Sequence, residues 1–226
     1  MVRTSASHAG NRGSSPRGVV QPAQEKAPPL RILPAAFCGA DAVEVAPRLL
    51  GKLLVQGAIA LRITEVEAYP PGDAASHCRA GRTARNAPMW GPPGHAYVYL
   101  CYGLHRMLNV VTNAEGVGAA VLVRAAEPVA GLEAIRARRG GKDGPALLTG
   151  PGKVGAALAL GTGHSGSPLF GGGAVDLCDA PEVHDVLVGP RIGIAFAGAA
   201  ARRAPLRFAV AGSEWVSHRQ GLRRGR

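Results

Sequence analysis

Apolar and polar positions along this chain alternate in short blocks, most of them bounded by glycine or proline and too short for long helices. Leu53–Val55 and Ala58–Val66 are β-compatible runs on either side of Gln56-Gly57, a pattern that predicts a hairpin. Ala96–Tyr102 and Leu108–Thr112 repeat the arrangement around a turn containing Gly103, and Ala119–Arg124 adds a further apolar run. Ile192–Phe196 and Leu206–Val210 complete the predicted strands. Strands linked by such short turns predict a mainly antiparallel sheet. Helical spacing appears between Asp41 and Leu50, with Asp41 placed as the N-cap, Pro47 set to kink or restart the turn and Gly51 as the stop. Leu132–Arg139 and Val154–Leu160 are the other helical candidates.

Between these blocks lie segments with no periodicity. Pro70-Pro71-Gly72-Asp73 ends the second strand and opens a polar loop, Ala74 to His95, that carries Arg79, Arg82, Arg85 and Asn86. A loop of this length inside a compact domain is usually functional or disordered. Gly161–Gly173 reads as a surface loop rich in Gly and Ser. Residues 1–29 hold almost no bulky apolar groups and read as a disordered basic tail, because they cannot offset the entropy of ordering. Such a tail attracts phosphate non-specifically or is an unselected extension, and low-complexity composition favours the second. The folded unit is expected over residues 30–219, followed by a short basic tail over 220–226.

Composition narrows the picture. The chain has 226 residues and 46% apolar content, enough for a real core in one domain. Lys plus Arg number 26 against 15 Asp plus Glu, a net charge of +11 that is mostly arginine, whose planar fork suits phosphate. Ala, Gly and Pro are inflated together with Arg, so the charge supports a nucleic-acid partner without deciding for one. Cys38, Cys78, Cys101 and Cys178 are scattered without ligand spacing, which argues against a zinc site and a disulfide framework. No apolar run approaches the roughly 18 residues a membrane span needs, so a cytoplasmic, nucleoid-associated protein is expected.

One window concentrates the chemistry. Aromatics are only 4% of the chain, yet all four tyrosines, Tyr69, Tyr97, Tyr99 and Tyr102, fall in it, beside Glu65, Glu67 and His77. Strand alternation puts Glu65 and Glu67 on one face and Thr64, Val66 and Ala68 on the other. Flat rings next to a carboxylate describe a pocket in which a planar group stacks while the acid works on it. Taken singly each residue has a plainer reading: tyrosines are common sheet residues, Glu67 could pair with Arg62 or Arg124, and His77 could be an ordinary loop histidine. Their concentration is what favours a site. Further on, Lys153 and the Gly150-Pro151-Gly152 turn could meet a DNA phosphate, although Leu147 and Val154 rule out a Walker loop. Loop Arg85 is a second backbone candidate.

These residues carry a resemblance. Glu65-Val-Glu-Ala-Tyr69, Ser76-His77, Arg85-Asn-Ala-Pro-Met89, Pro93-Gly-His-Ala-Tyr-Val-Tyr-Leu-Cys-Tyr-Gly103 and Leu108-Asn109-Val110 resemble the alkyladenine (3-methyladenine) DNA glycosylase family. The likeness continues in order through Val121–Pro128, Thr149–Val154, Pro190–Ile194, Pro205–Phe208 and Gly212–Ser217. It implies a single α+β domain with a curved, mainly antiparallel sheet flanked by helices. The implied activity is monofunctional hydrolysis of the N-glycosidic bond of alkylated or deaminated purines flipped out of double-stranded DNA.

By the same resemblance Tyr69, His77 and Tyr99 sandwich the flipped base, Glu67 activates a water as general base, and Arg124 holds that water or the nearby charge. Asn109 shapes selectivity and Tyr102 wedges into the duplex. No metal or organic cofactor is implied, and a monomer suffices. Two rivals are a damage-binding protein that does not cut and an RNA-binding or RNA-modifying protein. The Leu148-x-Gly150-x-Gly152 turn also resembles a helix-hairpin-helix, which would place the chain among mostly helical repair glycosylases with Asp176 as the acid; the strand-rich pattern argues against that.

Overall fold

The computed structural model describes Met1 and residues 30–225, so the tail expected over residues 1–29 lies, Met1 apart, outside the described residues. Among the described residues nine strands form one open antiparallel sheet: β1 (Leu53–Gln56), β2 (Ile59–Tyr69), β3 (Ala96–Cys101), β4 (His105–Val111), β5 (Ala120–Ala130), β6 (Asp176–Cys178), β7 (Val186–Gly189), β8 (Arg207–Val210) and β9 (Arg223–Arg224). Their order is β3-β4-β5-β2-β8-β7-β9, with β1 pairing to β2 and β6. Four helices accompany it among the described residues: α1 (Ala42–Leu49), α2 (Leu132–Arg138), α3 (Pro151–Ala157) and α4 (Ala199–Arg203). The result is the expected single α+β domain. Of the basic segment after Arg219, Arg223 and Arg224 pair with β7 as an edge strand.

The strands have two distinct faces. Ile59, Leu61 and Ile63 of β2 join one core cluster with Val66 and Ala68, so the inward phase changes from odd to even positions along a single strand. Register breaks at Ile63/Glu65 and Glu65/Val66 in the β2–β5 pairing account for the change. Unbroken alternation from Leu61 would have aimed Glu65 and Glu67 into the apolar core; the bulge turns both to the opposite face. The same irregularity leaves Arg124 as the extra residue on β5, between Val123 opposite Val66 and Ala125 opposite Glu65.

Helices cover the apolar face. Helix α1 buries Ala42, Val45, Ala46 and Leu49, and the Asp41 carboxylate accepts from the Val43 amide at 2.9 Å, as its sequence predicts. Helix α3 starts at Pro151, three residues earlier than its apolar spacing indicates, because proline fits the first helical position, where no amide bond is needed. It lies close on β4: a Cβ at Gly155 would overlap the Arg106 carbonyl oxygen, and one at Gly152 would stand 2.8 Å from the His105 Cβ. Ile192–Phe196 is not a strand. Gly193 takes φ 78°, which breaks extended geometry, and the segment folds as turns. Asp176, the acid of the helical alternative, sits on β6, accepts from the Gly171 amide at 3.0 Å and does not border the cavity lined by Tyr69, Tyr97 and Tyr99.

Close packing of α3 on β4 yields a stability prediction. Gly155→Ala should lower unfolding free energy by about 1–3 kcal/mol, the range for an overpacked contact, in a urea titration. Gly163→Ala, with nothing within 4 Å of the added methyl, should stay within about 0.5 kcal/mol of the parent.

Candidate active site

The face turned away from the core carries a continuous cross-strand row. Tyr97 on β3 pairs with Asn109 on β4, Asn109 with Leu122 on β5, and Leu122 with Glu67 on β2. Directly opposed residues share a face, so strand pairing alone aligns these four side chains. Two residues along in one direction, Tyr99, Met107 and Arg124 extend the same surface, and Tyr69, opposite Ala120, extends it in the other. The chain after β2 and the chain after β7 close over it and leave a cavity of about 360 Å³, walled by Tyr69, His77, Tyr97, Tyr99, Asn109, Leu122 and Arg124 among others.

Charge is buried behind this wall. Glu67 has no exposed surface, and its Oε1 accepts from the Ile192 amide at 2.8 Å while its Oε2 accepts from the Tyr69 hydroxyl at 2.9 Å. Arg124 Nη1 lies 3.1 Å from Glu67 Oε1, and its Nε stands 3.4 Å from Glu65 Oε1 without hydrogen-bond geometry. One guanidinium therefore serves two carboxylates. Glu65 is completed by Arg207 Nη1 at 3.1 Å and the Ser217 amide at 2.7 Å. Arg207 spends its remaining donors on the carbonyls of Pro190, Ser217, His218 and Gln220. Burial pushes the Glu67 carboxyl above its ordinary range, opposed by Arg124, the Ile192 amide and the Tyr69 hydroxyl.

His77 reaches the cavity from the loop after β2. Its Nδ1 lies 2.8 Å from the Tyr97 hydroxyl, its ring centroid is 4.4 Å from that of Tyr99, and the Asn86 side chain holds its carbonyl at 2.9 Å. Burial, with help from Arg85 and Arg79, holds its imidazole below the usual histidine value, so the ring is neutral at pH 7. Tyr97 is the one tyrosine of the window to which the resemblance gives no role: 1% exposed, it anchors His77 and stacks on Tyr99 at 5.5 Å. The Ile192 amide is invisible in the sequence for another reason, since a backbone donor has no residue signature.

At the mouth, Tyr102 is 87% exposed on the turn joining β3 to β4, with φ 50°, an uncommon backbone state for a tyrosine. Exposed Phe196 borders the same cavity from the chain after β7, with the Arg79 guanidinium 5.1 Å from its ring centroid. Arg85 lines the mouth and donates to the Leu100 carbonyl at 3.3 Å. Lys153 does not line it; the lysine lies in the first turn of α3, whose Pro151 does. Arg62, considered as a partner for Glu67, is exposed elsewhere on β2, and Arg124 takes that place.

A family model described as methylpurine-DNA glycosylase matches residues 36–214. The chain belongs to the methylpurine-DNA glycosylase family. It is 55% identical over 190 residues to a DNA-3-methyladenine glycosylase of Arabidopsis thaliana, covering 83% of this chain and 75% of the relative. It is 53% identical over 192 residues to a putative 3-methyladenine DNA glycosylase of Nitrosococcus oceani, covering 84% and 96%. A similarly named protein of Methanoculleus marisnigri is 48% identical over 194 residues, covering 83% and 99%. The methylpurine-DNA glycosylases are enzymes that hydrolyse N-glycosyl bonds, and the matched residues span every strand and loop that builds this cavity.

In this methylpurine-DNA glycosylase the charge cluster must also be a stability element. Arg207→Met leaves Glu65 without its best partner and four carbonyls without a donor, so it should cost about 3–5 kcal/mol, the range for breaking a buried pair. Chemical denaturation of the two proteins checks this.

Proposed function

We propose that this glycosylase flips alkylated or deaminated purines out of duplex DNA into the cavity and hydrolyses the bond from base to sugar. The observation that carries the reading is the acceptor state of Glu67. A carboxylate offers about four lone-pair sites. The Ile192 amide occupies one on Oε1, where Arg124 Nη1 stands as an ion-pair partner, and the Tyr69 hydroxyl occupies one on Oε2, which leaves an acceptor site on Oε2, the oxygen nearest the Tyr69 wall. A water bonded there can attack the sugar C1′: its oxygen bonds to C1′, its proton passes to Glu67, and the C1′–N bond electrons leave with the base. For a cationic alkylated purine those electrons neutralise the leaving group. Arg124 steadies the carboxylate and the water.

Stacking selects what enters. Tyr69, His77 and Tyr99 flank the base, and because His77 is neutral it adds no like-charge repulsion against a cationic purine. Asn109, with Nδ2 bonded to the Tyr97 carbonyl at 3.0 Å, has its carbonyl oxygen left to discriminate base edges. Tyr102, held out by its turn, fills the space vacated in the duplex. Arg85 and Lys153 take neighbouring phosphates, in keeping with the net charge of +11. One cavity and one wedge make a monomer sufficient, and no helix among the described residues is long and apolar enough to cross a membrane.

A second reading, a damage-binding protein that does not cut, draws on the complete burial of Glu67. Incubation with methylated duplex DNA separates the two, with chromatography of freed bases and alkaline scission at abasic sites. The parent should release base, and Glu67→Gln should lose about 10²–10⁴-fold in rate while keeping its affinity for the lesion. Release that is indifferent to Glu67→Gln sinks the general-base assignment, and no release from the parent favours the binder.

Acidity tests the same carboxylate. Its raised value means that the folded state holds the Glu67 proton more tightly than the unfolded chain does. Protonation therefore contributes stability fully present below the ordinary glutamate range and lost as pH rises through the folded value, whereas the base works only above it. Single-turnover base release should fall on acidification with its limb above the ordinary glutamate value of 4.5. A limb at or below that value would remove burial as the controlling effect.

A further inference from the structure

Behind the Tyr69 ring lies a second buried ion pair that the proposed chemistry does not use. The Arg191 side chain has no exposed surface; its Nη1 donates to the Ala68 carbonyl at 2.9 Å and to the Asp73 carboxylate, and its Nη2 donates to Asp73 Oδ1 at 3.0 Å. Its Cζ stands 4.7 Å from the Tyr69 ring centroid, over one face. Tyr69 borders the cavity and Arg191 does not, so the guanidinium covers the ring from behind and the other side is left to the ligand. The next residue, Ile192, supplies the amide that holds Glu67. One dipeptide thus sets both the stacking wall and the carboxylate.

An aromatic ring attracts a cation through the negative potential of its face. A cation already seated on one face draws that density toward itself, so a second cation on the opposite face is held less well. A neutral ligand, which stacks by dispersion and area, feels little of this. The Tyr69 hydroxyl works in the other direction, since donation to the Glu67 carboxylate enriches the same ring. Arg191 therefore decides how much of that enrichment reaches a base in the cavity.

We propose that Arg191 is a specificity-determining residue that lowers the preference of this site for positively charged purines relative to neutral ones, by occupying the rear face of Tyr69. The inference rests on the glycosylase reading of the same cavity. It is tested with two duplexes, one holding 7-methylguanine, a cation, and the other hypoxanthine, which is neutral. Single-turnover release and equilibrium affinity are measured on both for the parent, Arg191→Lys, and the double variant Arg191→Met with Asp73→Asn. The double variant removes the pair without stranding a charge. The Asp73→Asn change also keeps a side-chain oxygen that can accept from the Ala75 amide, as the Asp73 carboxylate does at 3.0 Å.

The double variant should shift the ratio of the two substrates toward the cationic one by about two- to fivefold, the scale of one cation–π contact. Arg191→Lys keeps the charge and loses the planar fork, so it should slow both substrates with a ratio near that of the parent. Equal loss on both duplexes in the double variant, with melting temperature showing a folded protein, would make Arg191 a brace only and overturn the proposal. Should the parent release neither base, the hydrolysis reading fails by itself, and the ratio of affinities still decides the role of Arg191.

Discussion

Glu67 can be buried beside Glu65 because guanidinium groups are buried with them. An isolated ionised carboxylate is expelled from a protein interior or protonated there. Around this sheet the acidic side chains of Glu65, Glu67 and Asp73 are met by Arg124, Arg191 and Arg207, all at most 7% exposed. The balance is assembled from distant parts of the chain. Strand β2 brings the two glutamates, its neighbours β5 and β8 bring Arg124 and Arg207, and the chain after β7 brings Arg191. Because β2 is central, with β5 on one side and β8 on the other, arginines can reach it from both directions.

That arrangement fixes the position of the Glu67 carboxylate within the fold. Glu67 is oriented by a backbone amide, a hydroxyl and a guanidinium, none of which needs to move during a reaction. Tyr69 is tied to the same carboxylate and backed by Arg191, so the ring and the acid share one framework. His77 comes from a loop, yet Tyr97 and Asn86 tether it to the sheet and to its own loop. Firm placement on strands and access through loops are combined in one cavity. Two large apolar side chains are exposed at its rim, Tyr102 at 87% and Phe196 at 63%. Exposed apolar groups at such a rim are suited to a partner that offers stacked bases.

Much of this is legible in the residues. The hairpins β1–β2 and β3–β4, the capped helix α1 and strand β8 follow from alternation, glycine turns and an aspartate cap, all of which act within a few residues. The gathering of tyrosines, glutamates and His77 into one window marks the candidate site, and Tyr69, His77, Tyr99, Asn109 and Arg124 line one cavity, with Glu67 fully buried behind that lining. Three features escape for a common reason, which is that nothing local sets them apart. Tyr97 looks like a sheet residue, the Ile192 amide has no side chain to notice, and Arg191 is one arginine among many in a basic chain. The segment Ile192–Phe196 mimics a strand because its apolar residues pack against the site instead of pairing with a neighbour.

The sequence by itself determined the local elements and the chemical inventory, because backbone preference and side-chain type are properties of each residue and its near neighbours. Only the tertiary structure decided which face the glutamates occupy and which arginines neutralise them. Both depend on a bulge between β2 and β5 and on contacts across more than a hundred residues, such as Glu65 with Arg207 at a separation of 142. Long-range pairing of charges is set by how strands are ordered in space, and strand order is not written in any local stretch of the chain.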